Sequence, residues 1–267
     1  PAVSQHIRYL ENFYQVQLFY HAGKKVELTR AGELLRNSAL TFKHDEIYLM
    51  RMLQDTAKNT RNFAFGATLS VAEFMLPPDL ERLICAYPQS HIRMEVGNTR
   101  ELLSKLDAGE LDFAVVEGEF PREEYEFLLY RKEPYVPVAS RKKAEQYRNA
   151  EFRELLSERL ILREPGSGTR EILERELRRR GMTTDDFSQI TELGNIGAIQ
   201  AMLRANLGIS FFYQATLTDR ETQLAPIELK DFSLEHEVMF IFRKNSSFRE
   251  DYEEIYAFLT NRENSQN

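Results

Sequence analysis

The sequence lacks the features that mark secreted, membrane-spanning or disulfide-stabilised proteins. It has one cysteine in 267 residues, no apolar run of membrane-spanning length and no signal peptide at its start. A single cysteine cannot form a disulfide within the chain, which fits the reducing cytoplasm. Cys85 lies in an apolar helical pattern over residues 80–87, with no histidine close in sequence to activate it. We therefore expect Cys85 to be a small core residue rather than a nucleophile.

Catalytic and metal-binding motifs are also missing. The GSGT run at residues 166–169 lacks the lysine of a phosphate-binding loop, and neither GxSxG nor a distinctive carboxylate pair is present. The five histidines are scattered without metal-ligand spacing: His6, His21, His44, His91 and His236. We expect no metal, no cofactor and no enzymatic activity.

The charge is unevenly distributed along the chain. The net charge of −7 by itself argues against nucleic acid as a partner. Residues 1–36, however, contain five basic and three acidic residues, a net of +2, which leaves −9 for the rest. A basic head on an acidic body indicates that any DNA contact is made by the first 36 residues.

The opening stretch, PAVSQHIRYLE, has the pattern of an amphipathic helix that begins at Pro1, where a missing N–H costs nothing. Its apolar residues recur at a spacing of three to four and are predicted to form one buried face: Ala2, Val3, Ile7 and Leu10. The other side offers hydrogen-bonding groups that suit base edges and phosphates in a DNA major groove: Ser4, Gln5, His6 and Arg8.

A basic hairpin is predicted to follow this helix. Residues 17–20 and 25–28 alternate like two short strands around a tight turn at residues 22–24, where Lys24 and Lys25 place two positive charges. A helix followed by a basic hairpin is the outline of a winged helix-turn-helix, whose wing lies over phosphates. An ordinary helix and hairpin of an α+β domain gives the same pattern, so the pattern alone leaves both interpretations open.

The stretch from Glu33 to Arg61 contains neither glycine nor proline and is predicted to be one long helix. Its apolar residues form two neighbouring rows: Leu35, Ala39, Phe42, Leu49 and Leu53 in one, and Ile47, Met50 and Ala57 in the other. So wide an apolar stripe must be buried. We expect a partner chain to cover it; the alternative is packing against the protein's own second domain.

From residue 62 onward strands and helices alternate, which indicates sheets covered by helices. About ten strands in roughly 200 residues suit two small α/β subdomains better than one large sheet. The crossovers between the halves are expected at residues 135–139 and 232–242. Strands are expected near residues 62–67, 92–96, 112–116, 127–130, 135–139, 160–162, 190–193, 208–212 and 238–242, and helices near 78–87, 99–108, 169–180, 195–205 and 248–259.

A cleft between two such subdomains collects helix N-termini, whose free N–H groups favour anions. Three turns carry hydroxyl or amide side chains next to a predicted helix, and Arg170 adds positive charge beside one of them. The candidate effector-binding residues are Thr68, Ser70, Thr99, Ser167, Thr169 and Asn195. Ser70 with Glu73, and Asn98 with Glu101, also fit capping boxes that would stabilise their helices without any ligand.

The order and spacing of four motifs resemble LysR-type transcriptional regulators: PAVSQHIRYLE, a Leu-Phe pair, a Gly-Lys-Lys turn and LTRAGELL. Three longer segments are similar to that family's effector domain: LSVAEFMLPPDLERLICAYP, GELDFAVVEG and LGNIGAIQAMLRANLGISFF. The resemblance implies an α/β protein with a periplasmic-binding-protein-like effector domain made of two Rossmann-like subdomains. The implied divisions are a partial winged helix-turn-helix at residues 1–32, a linker and dimerisation helix at 33–61, and an effector domain at 62–267, with subdomains at 62–134 plus 236–267 and at 135–235.

The resemblance also assigns roles to residues. Those that it places on DNA, in the recognition helix and the wing, are Pro1, Ser4, Gln5, Arg8, His21, Lys24 and Lys25. His21 stands where the family usually has arginine, so its phosphate contact would depend on pH, because histidine titrates near neutrality. Ser70, Thr99 and Ser167 occupy positions where the family binds effectors. The helices that support a recognition helix are not in this sequence, so we expect that stretch of chain to be missing before Pro1.

The sequence therefore predicts a cytoplasmic regulator that binds double-stranded DNA as a homodimer or homotetramer, without membrane contact. A small anion such as a carboxylate is predicted to close or rotate the two subdomains and so reset the angle between paired DNA-binding heads through the linker helix. The alternative is a solute-binding or ligand-sensing module without DNA affinity. An enzyme on the same scaffold would need a reactive side chain in the cleft.

Overall fold

The computed structural model describes residues 2–23, 25–217 and 223–261 of the chain. The helices within these residues are α1 (Ala2–Tyr14), α2 (Arg30–Lys58), α3 (Pro77–Ala86), α4 (Thr99–Ala108), α5 (Arg141–Gln146), α6 (Gly168–Arg179), α7 (Ile196–Arg204) and α8 (Arg249–Thr260). The strands are β1 (Phe19–Ala22), β2 (Lys25–Leu28), β3 (Phe63–Ala67), β4 (Ile92–Val96), β5 (Phe113–Val116), β6 (Tyr125–Ser140), β7 (Arg159–Leu162), β8 (Gln189–Glu192), β9 (Ser210–Tyr213), β10 (Leu224–Pro226) and β11 (Glu235–Arg243).

The N-terminal head consists of α1 and the antiparallel hairpin β1–β2. Glu11 joins the two, because its carboxylate accepts the N–H of Leu18 at 2.8 Å. The prediction that α1 buries its apolar face is wrong for the described residues: α1 has no buried residue, and Val3 is 71% exposed. The physical reason is that no other described element covers that face of the helix.

Helix α2 begins at Arg30 because Thr29 caps it, accepting the N–H of Gly32 at 3.1 Å. It packs on the rest of the chain through Tyr48, whose ring contacts Phe248 and Tyr252, and through polar groups. The His44 ring lies 3.0 Å from the Leu111 carbonyl, and Asp45 accepts the Ser246 hydroxyl at 2.6 Å. Most of the predicted apolar stripe stays exposed to solvent in the described structure, including Phe42, Leu49, Met50 and Leu53. Leu35 and Ile47, from the same prediction, are half-buried. The helix therefore leaves most of the predicted stripe uncovered by its own chain.

Strands β4, β3 and β5 lie side by side in parallel; β11 pairs antiparallel with β5, and the first part of β6 pairs antiparallel with β11. We call this group, with α3, α4 and α8, lobe I. Its core contains a stack of rings in which Phe113 lies between Phe65 at 4.8 Å and Phe240 at 4.6 Å, centroid to centroid. The parallel order brings the carboxyl ends of β3 and β5 next to each other.

Strand β6 is one continuous strand of 16 residues, where the sequence predicts two separate strands. Pro134 lies between the two predicted strands, but it is opposite Glu235, where β11 begins, so its missing N–H interrupts no ladder. Beyond it, Tyr135 pairs with Tyr213 on β9, and β10 pairs with the end of β6. We call β7 to β10, the last part of β6 and α5 to α7 lobe II.

Lobe II also contains the parallel pair β7–β8, which a bridge between Leu160 and Ile209 links to the start of β9. Strand β10 and the short helix α5 escape prediction, because each offers too few residues to show a period. None of the described helices combines the length and apolar character that crossing a membrane requires.

Cys85 is exposed, which corrects the expectation that it is a core residue. On α3 the inward face carries Leu83 and Asp79. Because each helical residue turns by about 100°, Cys85 lies about 200° around the helix from Leu83 and faces solvent.

Candidate functional site

A cavity of about 960 Å³ lies between the two lobes. Its walls come from the N-terminus of α4, the loop after β5 and the N-terminus of α6, and they include Thr99, Glu117 and Gly168. A second cavity, of about 710 Å³, shares Glu117 and reaches His236 on β11. Of the six predicted effector-binding residues, only Thr99 lines either of these two cavities.

Thr68 and Ser70 lie buried directly after β3. The hydroxyl oxygens of both side chains have no hydrogen-bond partner among the described residues. The predicted capping box between Ser70 and Glu73 is wrong: Ser70 already has helical backbone angles, because a one-turn π-helix over Val71–Met75 follows it, and its side chain caps nothing. The sequence pattern that suggested a structural role is therefore not used, and the two hydroxyls stay unpaired.

Thr99 is the first residue of α4. The capping box predicted for Asn98 and Glu101 is confirmed: the Asn98 side chain accepts the N–H of Glu101 at 3.0 Å, and Glu101 accepts the N–H of Asn98 at 3.1 Å. The Thr99 side chain packs closely on the loop after β5. A Cβ added at Gly118 would lie 2.2 Å from the Thr99 hydroxyl oxygen, so this contact requires glycine.

Ser167 and Thr169 are both buried at the N-terminus of α6, beside the larger cavity. Their hydroxyls bond to each other at 2.9 Å, and neither caps the helix. The Tyr135 hydroxyl donates to the Thr169 carbonyl at 2.7 Å, which fixes the start of α6 to strand β6. The first N–H groups of a helix have no partner within it, so this end carries partial positive charge toward the cleft.

Asn195 and Arg170 have other contacts. Asn195 is exposed, and its side-chain oxygen accepts the N–H of Ala198 at 2.9 Å as the cap of α7. Arg170 donates to Glu174 at 2.7 Å and to Glu192 at 2.8 Å. The positive charge predicted from Arg170 is therefore already paired with two carboxylates.

Glu117, which the sequence interpretation missed, occupies the centre of the site. It follows β5 and is only 4% exposed. Burial raises the pKa of its carboxyl group to about 8, although the Arg163 charge and a hydrogen bond from Tyr213 act to lower it. Its Oε2 atom has no hydrogen-bond partner among the described residues. The position of Glu117 in the sequence could have identified it, because it is an acidic residue at the carboxyl end of a predicted parallel strand. Ligands bind at this edge of the sheet in such folds.

A row of polar side chains leads from Glu117 to the crossover strand β11. Tyr213 donates to the Glu117 carboxyl group, and its hydroxyl lies 3.1 Å from Nδ1 of His236. Nε2 of His236 lies 3.4 Å from the guanidinium of Arg175 on α6. Burial and the Arg175 charge lower the pKa of His236 to about 4, so the ring is neutral at pH 7.

The predicted DNA-binding residues that the structure describes are exposed. Ser4, Gln5 and Arg8 lie on α1, and His21 and Lys25 lie on the hairpin. Pro1 and Lys24, from the same predicted set, lie outside the described residues. No cluster of three or more metal-binding side chains occurs in the described part of the chain.

Residues 57–263 match the family described as the LysR substrate binding domain, and residues 1–33 match the bacterial regulatory helix-turn-helix protein of the lysR family. The regulator CysL of Bacillus subtilis is 26% identical over 97% of this chain and 86% of its own length. The transcriptional activator CmpR of Synechocystis is 25% identical over 92% of this chain and 81% of its own.

Solved structures agree on the fold. The regulatory domain of Synechocystis CcmR, in complex with 2-phosphoglycolate, aligns with a TM-score of 0.66 at 21% identity, over 77% of this chain and 99% of that domain. A hydrogen-peroxide-bound OxyR variant of Corynebacterium glutamicum aligns with a TM-score of 0.67 at 21% identity, over 98% of this chain and 83% of its own.

These matches confirm the predicted α/β effector-domain fold and the prediction of a transcriptional regulator rather than an enzyme. The effector-domain match alone covers more than half of the sequence. The chain therefore belongs to the LysR family of DNA-binding transcriptional regulators.

Proposed function

We propose that this regulator couples DNA contact by its N-terminal head to a small anion bound between lobes I and II. The observation that carries the effector proposal is a set of buried polar atoms without a partner: the hydroxyl oxygens of Thr68 and Ser70 and Oε2 of Glu117. They lie at the neighbouring carboxyl ends of β3 and β5, and Glu117 contacts the N-terminus of α6. Such atoms cost free energy unless a ligand or water binds them.

The proposed effector contacts are the Thr68, Ser70 and Thr99 side chains of lobe I and the Ser167 to Thr169 turn of lobe II. Hydroxyl donors together with a helix N-terminus suit a small oxyanion or carboxylate. That the related CcmR domain holds 2-phosphoglycolate supports an organic anion of this size. Because Asn195 already caps α7, its predicted contact with an effector would require that cap to open.

For the head, we infer that Ser4, Gln5 and Arg8 read the major groove while His21 and Lys25 contact phosphates. Pro1 and Lys24 complete the set from the sequence. Support comes from exposure: all five described side chains are exposed, and α1 has no buried residue. Because it acts on DNA, we infer that the protein works in the cytoplasm.

The proposed divisions are a head at residues 1–32, a linker helix at 33–61 and an effector domain from 62 onward. Lobe I would comprise residues 62–134 and 236–267, and lobe II residues 135–235. The change of strand partners along β6, from β11 to β9 and β10, supports a boundary near Tyr135. The exposed stripe on α2 supports a homodimer or homotetramer joined through the linker.

Salt-dependent DNA binding tests the head. We expect the chain to bind duplex DNA with an affinity that falls steeply with salt, because phosphate contacts release counterions. In Lys25→Ala the slope of log affinity against log salt should decrease by about one. Arg153→Ala, which removes an exposed charge from lobe II, is the matched control and should keep the original slope. An affinity unaffected by salt, or equal slopes in both variants, would favour the solute-binding alternative.

A thermal-shift screen tests the cleft. Small carboxylates and phosphate esters, 2-phosphoglycolate among them, should raise the unfolding temperature of the chain, because ligands stabilise the folded state that binds them. Ser70→Ala should reduce the shift, while Ser188→Ala, at an exposed serine that lines neither cavity, should leave it unchanged. Equal shifts in the two variants would contradict the assignment of Ser70.

A further inference from the structure

The Glu117 side chain bridges the two lobes at the effector site. On the lobe I side, the N–H of Thr68 donates to the Val115 carbonyl at 3.2 Å, so the ends of β3 and β5 are in direct contact. On the lobe II side, a Cβ added at Gly168 would lie 2.8 Å from Cγ and 3.1 Å from Oε1 of Glu117. The carboxyl group of one lobe therefore lies against the first residue of α6 in the other.

The hydrogen bonds around Glu117 have a fixed direction. Arg175 can only donate, so Nε2 of His236 must accept and the ring proton is on Nδ1. That proton is donated to the Tyr213 oxygen, which leaves the single Tyr213 hydroxyl proton for Glu117. The Glu117 carboxyl group thus receives one hydrogen bond from inside the protein, and its Oε2 atom is left over.

The charged and titratable groups that face Glu117 come from four elements. Arg163, directly after β7, lies within electrostatic reach but gives two hydrogen bonds, each of 2.7 Å, to its neighbour Glu164. Glu171 on α6 repels a negative charge at this point. The hydroxyls of Tyr135 on β6 and Tyr213 on β9 complete the surroundings.

These surroundings favour the neutral form of the carboxyl group at pH 7, because burial raises its pKa to about 8. A neutral carboxyl group carries an O–H that needs an acceptor, and the described protein supplies none to Oε2. The other groups near this point, the α6 N-terminus and the hydroxyls of Thr68 and Ser70, also favour an acceptor of negative charge.

We propose that Glu117, in its neutral form, donates a hydrogen bond to the anionic effector, so that effector binding is linked to a proton held by the protein. The inference rests on the proposed effector function of the cleft and deepens it. The proposal also specifies the class of effector, which is an ionised oxyanion or carboxylate that need not carry a positively charged group. An ammonium-bearing ligand would instead need the ionised form of Glu117.

The linkage has a definite sign. The anion binds the protonated form, so affinity is full below the pKa of Glu117 and is lost as the pH rises through it. With a pKa of about 8, the neutral fraction falls about tenfold between pH 7 and pH 9, and so does the expected affinity. An ammonium ligand paired with ionised Glu117 would show the opposite trend.

Sulfate is the probe, because its charge does not change between pH 7 and pH 9, and calorimetric titration of the full chain gives its affinity at both. We expect about tenfold weaker sulfate binding at pH 9. Glu117→Gln keeps a neutral donor of the same size and should bind sulfate equally at both pH values. Glu81→Gln, an exposed substitution on α3, should keep the original tenfold dependence.

Three results would overturn the inference: no sulfate binding at pH 7, sulfate affinity in the original chain that does not change with pH, or loss of sulfate binding in Glu117→Gln. Stronger binding of methylammonium at pH 9 would do the same.

Tyr213→Phe provides a second test should Glu117→Gln fail to fold. It removes a hydrogen bond that lowers the Glu117 pKa, so the pH midpoint of sulfate binding should move upward, and an unchanged midpoint would contradict the inference. Loss of salt-dependent DNA binding would instead count against the proposed function and would leave the sulfate results unaffected.

Discussion

The ion pair between Arg51 and Asp112 allows a quantitative test of how the linker helix is held on lobe I. Arg51 lies on α2, and its guanidinium bonds to Oδ1 of Asp112, just before β5. The other carboxylate oxygen accepts the N–H of Ala64 at 2.9 Å. Asp112 is almost completely buried, while the Arg51 side chain is about one-quarter exposed. Replacing Arg51 by methionine keeps an unbranched apolar stem and leaves the carboxylate without its cation.

The expected loss is about 3 kcal/mol of unfolding free energy, the lower end of the range for breaking a buried pair, because Arg51 is partly solvated. For a chain of this size, that corresponds to a fall of about 5–6 °C in the unfolding midpoint. Burial already raises the pKa of Asp112 although Arg51 acts to lower it, so removing Arg51 should raise it further. A raised carboxyl pKa makes stability fall as pH rises through it, so the loss should be larger at pH 7 than at pH 5.

Thermal unfolding followed by circular dichroism at pH 7 and pH 5 measures both quantities. Arg51→Met with Asp112→Asn should recover most of the stability, because no buried charge then lacks a partner. Arg249→Met, which breaks an exposed pair with Glu253, is the matched control and should not change the midpoint measurably. A loss below about 1 kcal/mol in Arg51→Met, or one that is equal at the two pH values, would refute the argument.

Two further predictions concern the cleft and the linker. Gly168→Ala places a Cβ 2.8 Å from the buried Glu117 side chain and should lower the free energy of unfolding, measured by chemical denaturation, by about 1–3 kcal/mol. Gly194→Ala is the control: its nearest contact would be 3.7 Å, and its effect should stay within about 0.5 kcal/mol. Equal losses in the two variants would show that the lobes separate freely at this point. The double variant Phe42→Glu, Leu53→Glu should reduce the sedimentation coefficient to that of a monomer, because both side chains are exposed on the α2 stripe. The control Arg153→Glu should leave the assembly intact. An unchanged assembly in the double variant would exclude this stripe as the interface.

The elements with strong local signals could be predicted from sequence. The α4 boundaries and the Asn98 capping box are as expected, because a cap and its partner lie three residues apart and need no tertiary information. The alternation of strands and helices likewise predicts an α/β fold, since each period is local. Strand β6 was predicted in two pieces, and only its pairing with β11 and then with β9 shows that the strand is continuous.

Burial was harder to predict than secondary structure. The α2 face that packs on lobe I carries Tyr48, which lies outside the predicted stripe, and polar groups whose partners come from distant parts of the chain, such as the Leu111 carbonyl and Ser246. The spacing of apolar residues in the sequence identifies an apolar stripe on a helix, but it does not show whether the same chain covers that stripe. Cys85 shows the same limit, since it lies within an apolar pattern and still faces solvent.

Strand β5 shows why we propose only one of two similar carboxyl groups for the binding site. Asp112 precedes the strand and Glu117 follows it; both are buried, and burial raises the pKa of each. Asp112 has both oxygens bonded within the chain, one to Arg51 and one to the Ala64 N–H. Glu117 has Oε2 buried and without a partner in the described structure, and the residue lines a cavity with room for a ligand. A buried carboxyl group whose bonds are complete holds the fold together, whereas one with an unpaired oxygen beside a cavity can still accept a partner, so the search for the effector should begin at Glu117.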